Sequence, residues 1–256
     1  MSEEVTNRIP IWLAVAITAF ISVPFGTLLG VYSIPVWASF IAWAEYFTFG
    51  ASSDQLKWIY GLFPLGALTM ALFGTFNNYF VDVVGINLLV SSAILLFIMV
   101  AAATYLLTLI PRGMDKSLAY FNGLSMFLAL YFAGIPGGPG TGGGPLVSGD
   151  LAWMINPWIQ WVWISLAGIF GGFLGWFNIL ITFPKVNGQP VEMELWEWVG
   201  IGATVILCVM LWILYHPWFS MIEGTSTQFF AIVIAIGAFI LAFGGQAIRT
   251  SGSESM

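Results

Sequence analysis

The chain has 256 residues, of which 59% are hydrophobic and only 7% charged, and its net charge is −6. A soluble domain carries about 25% charged residues, so the composition excludes a soluble globular protein and points to one that keeps its apolar surface in lipid, where a crossing helix needs about 20 apolar residues. The acidic balance disfavours nucleic acid and anionic lipid as partners, and with Cys208 as the only cysteine there is no internal disulfide.

The apolar runs predict an all-α integral membrane protein, a polytopic bundle of eight transmembrane helices in one domain. The first span covers residues 10–30; Pro10 suits a first helical turn, and Gly26 and Gly30 form a small-residue pair of the kind that lets helices approach closely. The acids Glu3 and Glu4 and the length of this run argue against a cleavable leader. The second span, 36–50, is short, and the third, 58–80, should kink at Pro64. Spans four and five cover 86–110 and 118–134. Span six, 153–183, carries Gly168, Gly171, Gly172 and Gly175, two overlapping GxxxG pairs expected on one side of the helix. Spans seven and eight cover 195–216 and 228–248, and Glu192, Glu194 and Glu197 should favour the start of span seven.

With eight spans, Arg8, Lys57, Arg112, Lys116, Lys185 and Arg249 all fall on one side of the membrane, opposite Asp82, Asp150 and Glu223. The positive-inside rule makes that side cytoplasmic and places both termini there, in a cell (inner) membrane. Trp37, Trp153, Trp158, Trp161 and Trp218 are then expected in an outer aromatic belt, and Trp12, Trp58, Trp196 and Trp198 in an inner one.

Between spans five and six lies GIPGGPGTGGGPLVSGD, which no helix can traverse because Pro136, Pro139 and Pro145 each remove a backbone donor. Gly138, Gly140 and Gly143 match GxGxxG, but the flanks are membrane spans rather than a βαβ unit and Pro145 follows, so nucleotide binding is rejected. Two readings stay open: an exposed loop, or a re-entrant segment whose bare backbone lines a polar path, the one setting in which irregular backbone is tolerated at membrane depth.

Glu45 lies inside span two, where a carboxylate costs about 2.5–3.5 kcal/mol on insertion scales. It is either a proton or cation site lining a pathway, with Tyr46 beside it, or an acid near enough to the interface to reach water or Lys57. Asn77, Asn78, Asn122 and Asn178 are also intramembrane, and such amides either join helices or contact a solute. One histidine, His216, and one cysteine cannot build the usual zinc, copper, haem or iron–sulfur sites, and there is no GxSxG or HExxH. No cofactor, metal or enzymatic activity is expected.

The run from Trp37 to Gly50 resembles the W-A-x-F…Y-F segment of the DUF1097 family of small bacterial inner-membrane proteins, through Trp37, Ala38, Phe40, Tyr46 and Phe47. The likeness extends over residues 12–180, with a turn near Pro111 and a late glycine-rich span near Gly168; the GGPGTGGG stretch, Glu45 and two further C-terminal spans are departures. The resemblance implies a polytopic inner-membrane protein and supplies no catalytic residue.

These readings lead to a channel or transporter for a small neutral or cationic solute. Gly137, Gly138, Gly140, Gly142, Gly143 and Gly144 would form a narrowing, and Glu45, Tyr46, Asn77, Asn78, Asn122 and Asn178 its polar wall. The alternative is a non-catalytic scaffold subunit of a larger membrane complex. Expected partners are the lipid bilayer and further copies or other membrane subunits.

Overall fold

The structure, a computed structural model, describes residues 5–27, 29–133, 144–187 and 189–215. In chain order these form β1 (Val5–Asn7), α1 (Ile11–Thr27), α2 (Val36–Thr48), α3 (Leu56–Asn78), α4 (Leu88–Leu109), α5 (Ser117–Ala133), α6 (Ala152–Leu180), β2 (Pro184–Val186), β3 (Gln189–Pro190) and α7 (Leu195–Tyr215). Seven of the expected spans each fall on one of these helices. The eighth, residues 228–248, lies outside the described residues, as do His216, Trp218 and Arg249. By length and composition three helical segments can cross a membrane, Ser53–Val83, Leu88–Leu109 and Ala152–Leu180; Ile11–Thr27, Ser117–Phe132 and Leu195–Met210 are apolar but shorter.

Helix α6 is the centre of the fold. Its glycines lie on one side, within about 100° of arc, and that side is shared between two neighbouring helices. Gly168 and Gly172 take the side chains of Phe63 and Tyr60 of α3, whereas Gly171 and Gly175 take Ser39, Ala42 and Tyr46 of α2. Positions 168 and 171 differ by about 60° around a helix of 3.6 residues per turn, enough for each GxxxG pair to serve a different neighbour. On α1, Gly26 packs on Val36, while Gly30 opens a separate turn, Gly30–Tyr32, beyond the end of α1.

Side-chain contacts fix the directions. Trp161 Nε1 of α6 donates to the Pro64 carbonyl of α3 at 3.0 Å, and Asn78 Nδ2 donates to the Trp153 carbonyl at 3.0 Å, so α3 and α6 run antiparallel. Asn178 Nδ2 reaches Thr18 Oγ1 at 3.3 Å, and the Phe25 and Phe170 rings lie 4.8 Å apart, so α1 also opposes α6. Tyr120 donates to Thr69 and Tyr131 packs on Phe73, which makes α5 parallel to α3.

These directions gather the described basic residues at one end. β1 pairs antiparallel with β2 in the register Thr6↔Lys185, and the Arg8 N–H donates to the Thr182 carbonyl, tying the start of α1 to the end of α6. Lys116 Nζ stands 4.4 Å from the Phe49 ring centre, tying the start of α5 to the end of α2. Lys57 begins α3 and Arg112 sits in the turn before α5, at the same end. Asp82 and Asp150 belong to the opposite end, where Tyr79 packs on Trp153.

Two boundaries have local causes. Asn87 caps α4, its Oδ1 accepting from the N–H of Leu89 at 2.9 Å, so this helix begins at Leu88. Helix α3 passes through Pro64 as one element and then loosens into a π turn, Tyr79–Val83.

Candidate functional site

At ~1.5 Å per residue, the 17 residues of α1 rise about 25 Å and the 13 of α2 about 20 Å, against about 43 Å for the 29 of α6. Both helices of the α1–α2 hairpin are therefore much shorter than α6, and each rises less than the ~30 Å of a hydrocarbon layer. Span one does not extend helically to residue 30: α1 ends at Thr27, and Gly30–Tyr32 forms a separate turn. Trp37, expected in the outer belt, stands on the first turn of α2 at this tip. Trp161 is half-buried, its indole N–H bonded to the Pro64 carbonyl.

The tip satisfies its backbone locally. The Ile34 N–H donates to the Phe25 carbonyl at 2.9 Å and the Leu29 N–H to Ser33 Oγ at 3.2 Å, with Ser33 fully buried. The Val31 carbonyl accepts from the N–H of Gly144 at 3.1 Å. Gly144, the last residue of the glycine-rich run, has φ +85°, and a Cβ there would lie 2.6 Å from Ile159 Cγ2. Ile159 and Trp163 are about 10–16 Å along α6 from Ala152, so Gly144 is buried well below the end of that helix. From there the chain climbs beside α6, with Val147 exchanging two hydrogen bonds with the Asn156 side chain. Gly137, Gly138, Gly140, Gly142 and Gly143 lie outside the described residues.

Glu45 is 1% exposed, reaching neither water nor Lys57. Asn122 Nδ2 of α5 donates to its Oε1 at 2.5 Å, and Oε2 has no hydrogen-bond partner. Each residue is legible in the sequence as a polar group within an apolar span, but their pairing is not. Tyr46, next along α2, turns to Gly175 and donates to the Ala51 carbonyl at 2.9 Å instead of joining the carboxyl.

The other asparagines each tie two or more helices. Asn77 Oδ1 accepts from Ser92 of α4 at 3.1 Å; Asn78 holds Trp153 of α6 through its amide and accepts from the Tyr131 hydroxyl of α5; Asn178 holds Thr18 of α1. Asn77 Nδ2 and Asn178 Oδ1 remain buried without partners. The predicted residues thus form separate pairs rather than one cluster. Glu45 and Asn122 meet, Asn77 and Asn78 share the acidic end of α3, and Asn178 stands apart with Thr18. Sequence reasoning missed Thr18, Ser92, Tyr131 and the buried Gln160, whose Oε1 is unpartnered, as is Trp163 Nε1 beside Gly144. Gln160 carried a legible signal, as an amide within an apolar span.

Long apolar helices and a composition poor in charge define an α-helical membrane protein. The chain belongs to the family described as "Protein of unknown function (DUF1097)", whose model matches residues 11–183, about two thirds of its length. The match takes in Glu45 and the glycine-rich stretch and ends just before β2, leaving α7 beyond it. No curated protein and no solved structure matches the chain.

Proposed function

We propose that this protein is a multi-pass channel or transporter of the cell (inner) membrane, passing a small neutral or cationic solute. The observation that supports the reading best is the meeting of two irregular segments inside the bundle, the turn after α1 and Gly144, joined by the Val31–Gly144 hydrogen bond. A helix bundle with a purely structural task has no need to stop two helices short and bring bare backbone beside α6, whereas a solute path does. With the basic end cytoplasmic by the positive-inside rule, both termini lie inside, the 228–248 run supplies the eighth span, and the tip opens outward. Glu45, Asn77, Asn78, Asn122 and Asn178 contribute polar wall groups, and Gly137 to Gly144 the narrowing. The lack of outward-facing bases disfavours anions. On this reading the protein is not an enzyme.

Swelling of protein-loaded vesicles in glycerol, urea and tetramethylammonium tests it. Flux above that of empty vesicles is expected for at least one of these solutes, reduced by Gly144→Val, whose side chain would press on Ile159 and Trp163. Rates equal to empty vesicles for all three end the reading.

The scaffold reading is favoured by α4, where Leu89 and Phe97 are each 77% exposed. That face would seat another subunit or a second copy instead of lipid. On that reading all fluxes match empty vesicles, while the chain co-purifies in a stoichiometric complex.

A further inference from the structure

The carboxyl of Glu45 is buried inside α2, 1% exposed, with no charged partner among the described residues. Its Oε1 takes the Asn122 amide and its Oε2 meets no donor. The surrounding elements supply no cation to it. Helices α1 and α6 contain no acid, base or tyrosine. Helix α3 brings Tyr60 and the exposed Lys57, and α5 brings Tyr120, whose hydroxyl is committed to Thr69. Lys116, at the start of α5, sits over the Phe49 ring, and Tyr46 on α2 itself donates to the Ala51 carbonyl.

An ionised carboxylate in this setting would be a buried charge with a single neutral donor, which costs far more than a buried hydroxyl left unpaired. One feature selects a proton over a metal cation. The space at Oε2 is closed to solvent, whereas a hard cation needs several oxygen ligands around it.

We propose that Glu45 is a proton-binding site, occupied while α2 and α5 are closed on it, and that it couples solute movement to a proton. Parting of the two helices admits water to Oε2. The O–H bond of the acid then breaks, the proton passes to that water as hydronium, and the carboxylate left behind keeps the Asn122 N–H. Closure requires a proton to return from either aqueous side. The coupling rests on the transport reading above, but the proton site does not.

Infrared difference spectra of the full chain in lipid, recorded over pH steps in light and heavy water, test the site. Wild type should show a carboxylic-acid carbonyl band that disappears at alkaline pH and shifts in heavy water. Glu45→Gln should lack it, and Asn122→Leu should keep it at a displaced frequency, because that carbonyl has lost its donor. Asn122→Leu leaves the acid in place, so it reports on the site even where Glu45→Gln fails to fold. A wild-type band unchanged in both variants overturns the proposal.

In vesicles, an imposed pH gradient should change glycerol, urea or tetramethylammonium flux several-fold in wild type and leave Glu45→Gln flux unaltered. Solute flux without the infrared band removes the proton site and spares the transport reading. The band without any solute flux removes the transport reading, and the coupling with it, and spares the site.

Discussion

Gly66 and Gly123 bring α3 and α5 into backbone contact: a Cβ on Gly66 would strike the Tyr120 carbonyl oxygen, and one on Gly123 the Phe63 carbonyl oxygen. Backbone cannot swing aside as a side chain can, so even one methyl forces the helices apart. Gly66→Ala and Gly123→Ala should each destabilise by about 1–3 kcal/mol, read as a lower thermal midpoint in detergent. Gly61, on the same helix with nothing near its missing Cβ, is the control. Its change to Ala should be neutral or stabilising by up to about 1 kcal/mol. Equal midpoints for all three variants would contradict the packing.

Asn78 joins α3 to both α5 and α6, through the Tyr131 hydroxyl and the Trp153 carbonyl. Tyr131→Phe removes one link and leaves the other. A loss of about 0.6 kcal/mol, and at most about 1.7, is expected from interhelical hydrogen bonds in membranes. Asn78→Leu removes both links and leaves the Trp153 carbonyl without this donor, so it should cost more than Tyr131→Phe. Chemical unfolding of the two variants in mixed micelles orders them, and the reverse order would contradict the bridging role.

The gathering of basic groups at one end predicts sided labelling. In a Cys208→Ser background, Lys57→Cys and Arg112→Cys should both react with a membrane-impermeant thiol reagent from the cytoplasmic side and neither from outside. Cys208 is buried, with Sγ 3.6 Å from the Ile21 carbonyl, so serine should be tolerated there. Labelling of the two positions from opposite sides would break the topology on which the sidedness of Glu45 and of the tip depends.

The helices themselves were legible in the sequence, because long apolar runs interrupted by Pro, Gly and charge leave few choices inside lipid. The start of α4 moved only as far as the Asn87 cap. Partners were less legible. Nothing in residues 36–50 announces which neighbour α2 packs on, since that follows from how Gly171 and Gly175 seat it on α6. The Glu45–Asn122 bond joins residues 77 positions apart, and pairing at that range depends on which helices are neighbours. The close approach at Gly66 and Gly123 escaped notice for a related reason. Neither glycine stands in a GxxxG pair, and each works singly against a carbonyl of the facing helix.

The most direct test of the account is the surroundings of the α1–α2 tip. Val31, 36% exposed beside Gly144, can be changed to Cys in the Cys208→Ser background and challenged with a charged, impermeant thiol reagent from the outer side of intact vesicles. The account predicts modification, because a tip that opens onto a solute path is reached by water. Modification by a lipid-soluble maleimide alone, with the charged reagent inert, would place the tip against lipid and contradict it.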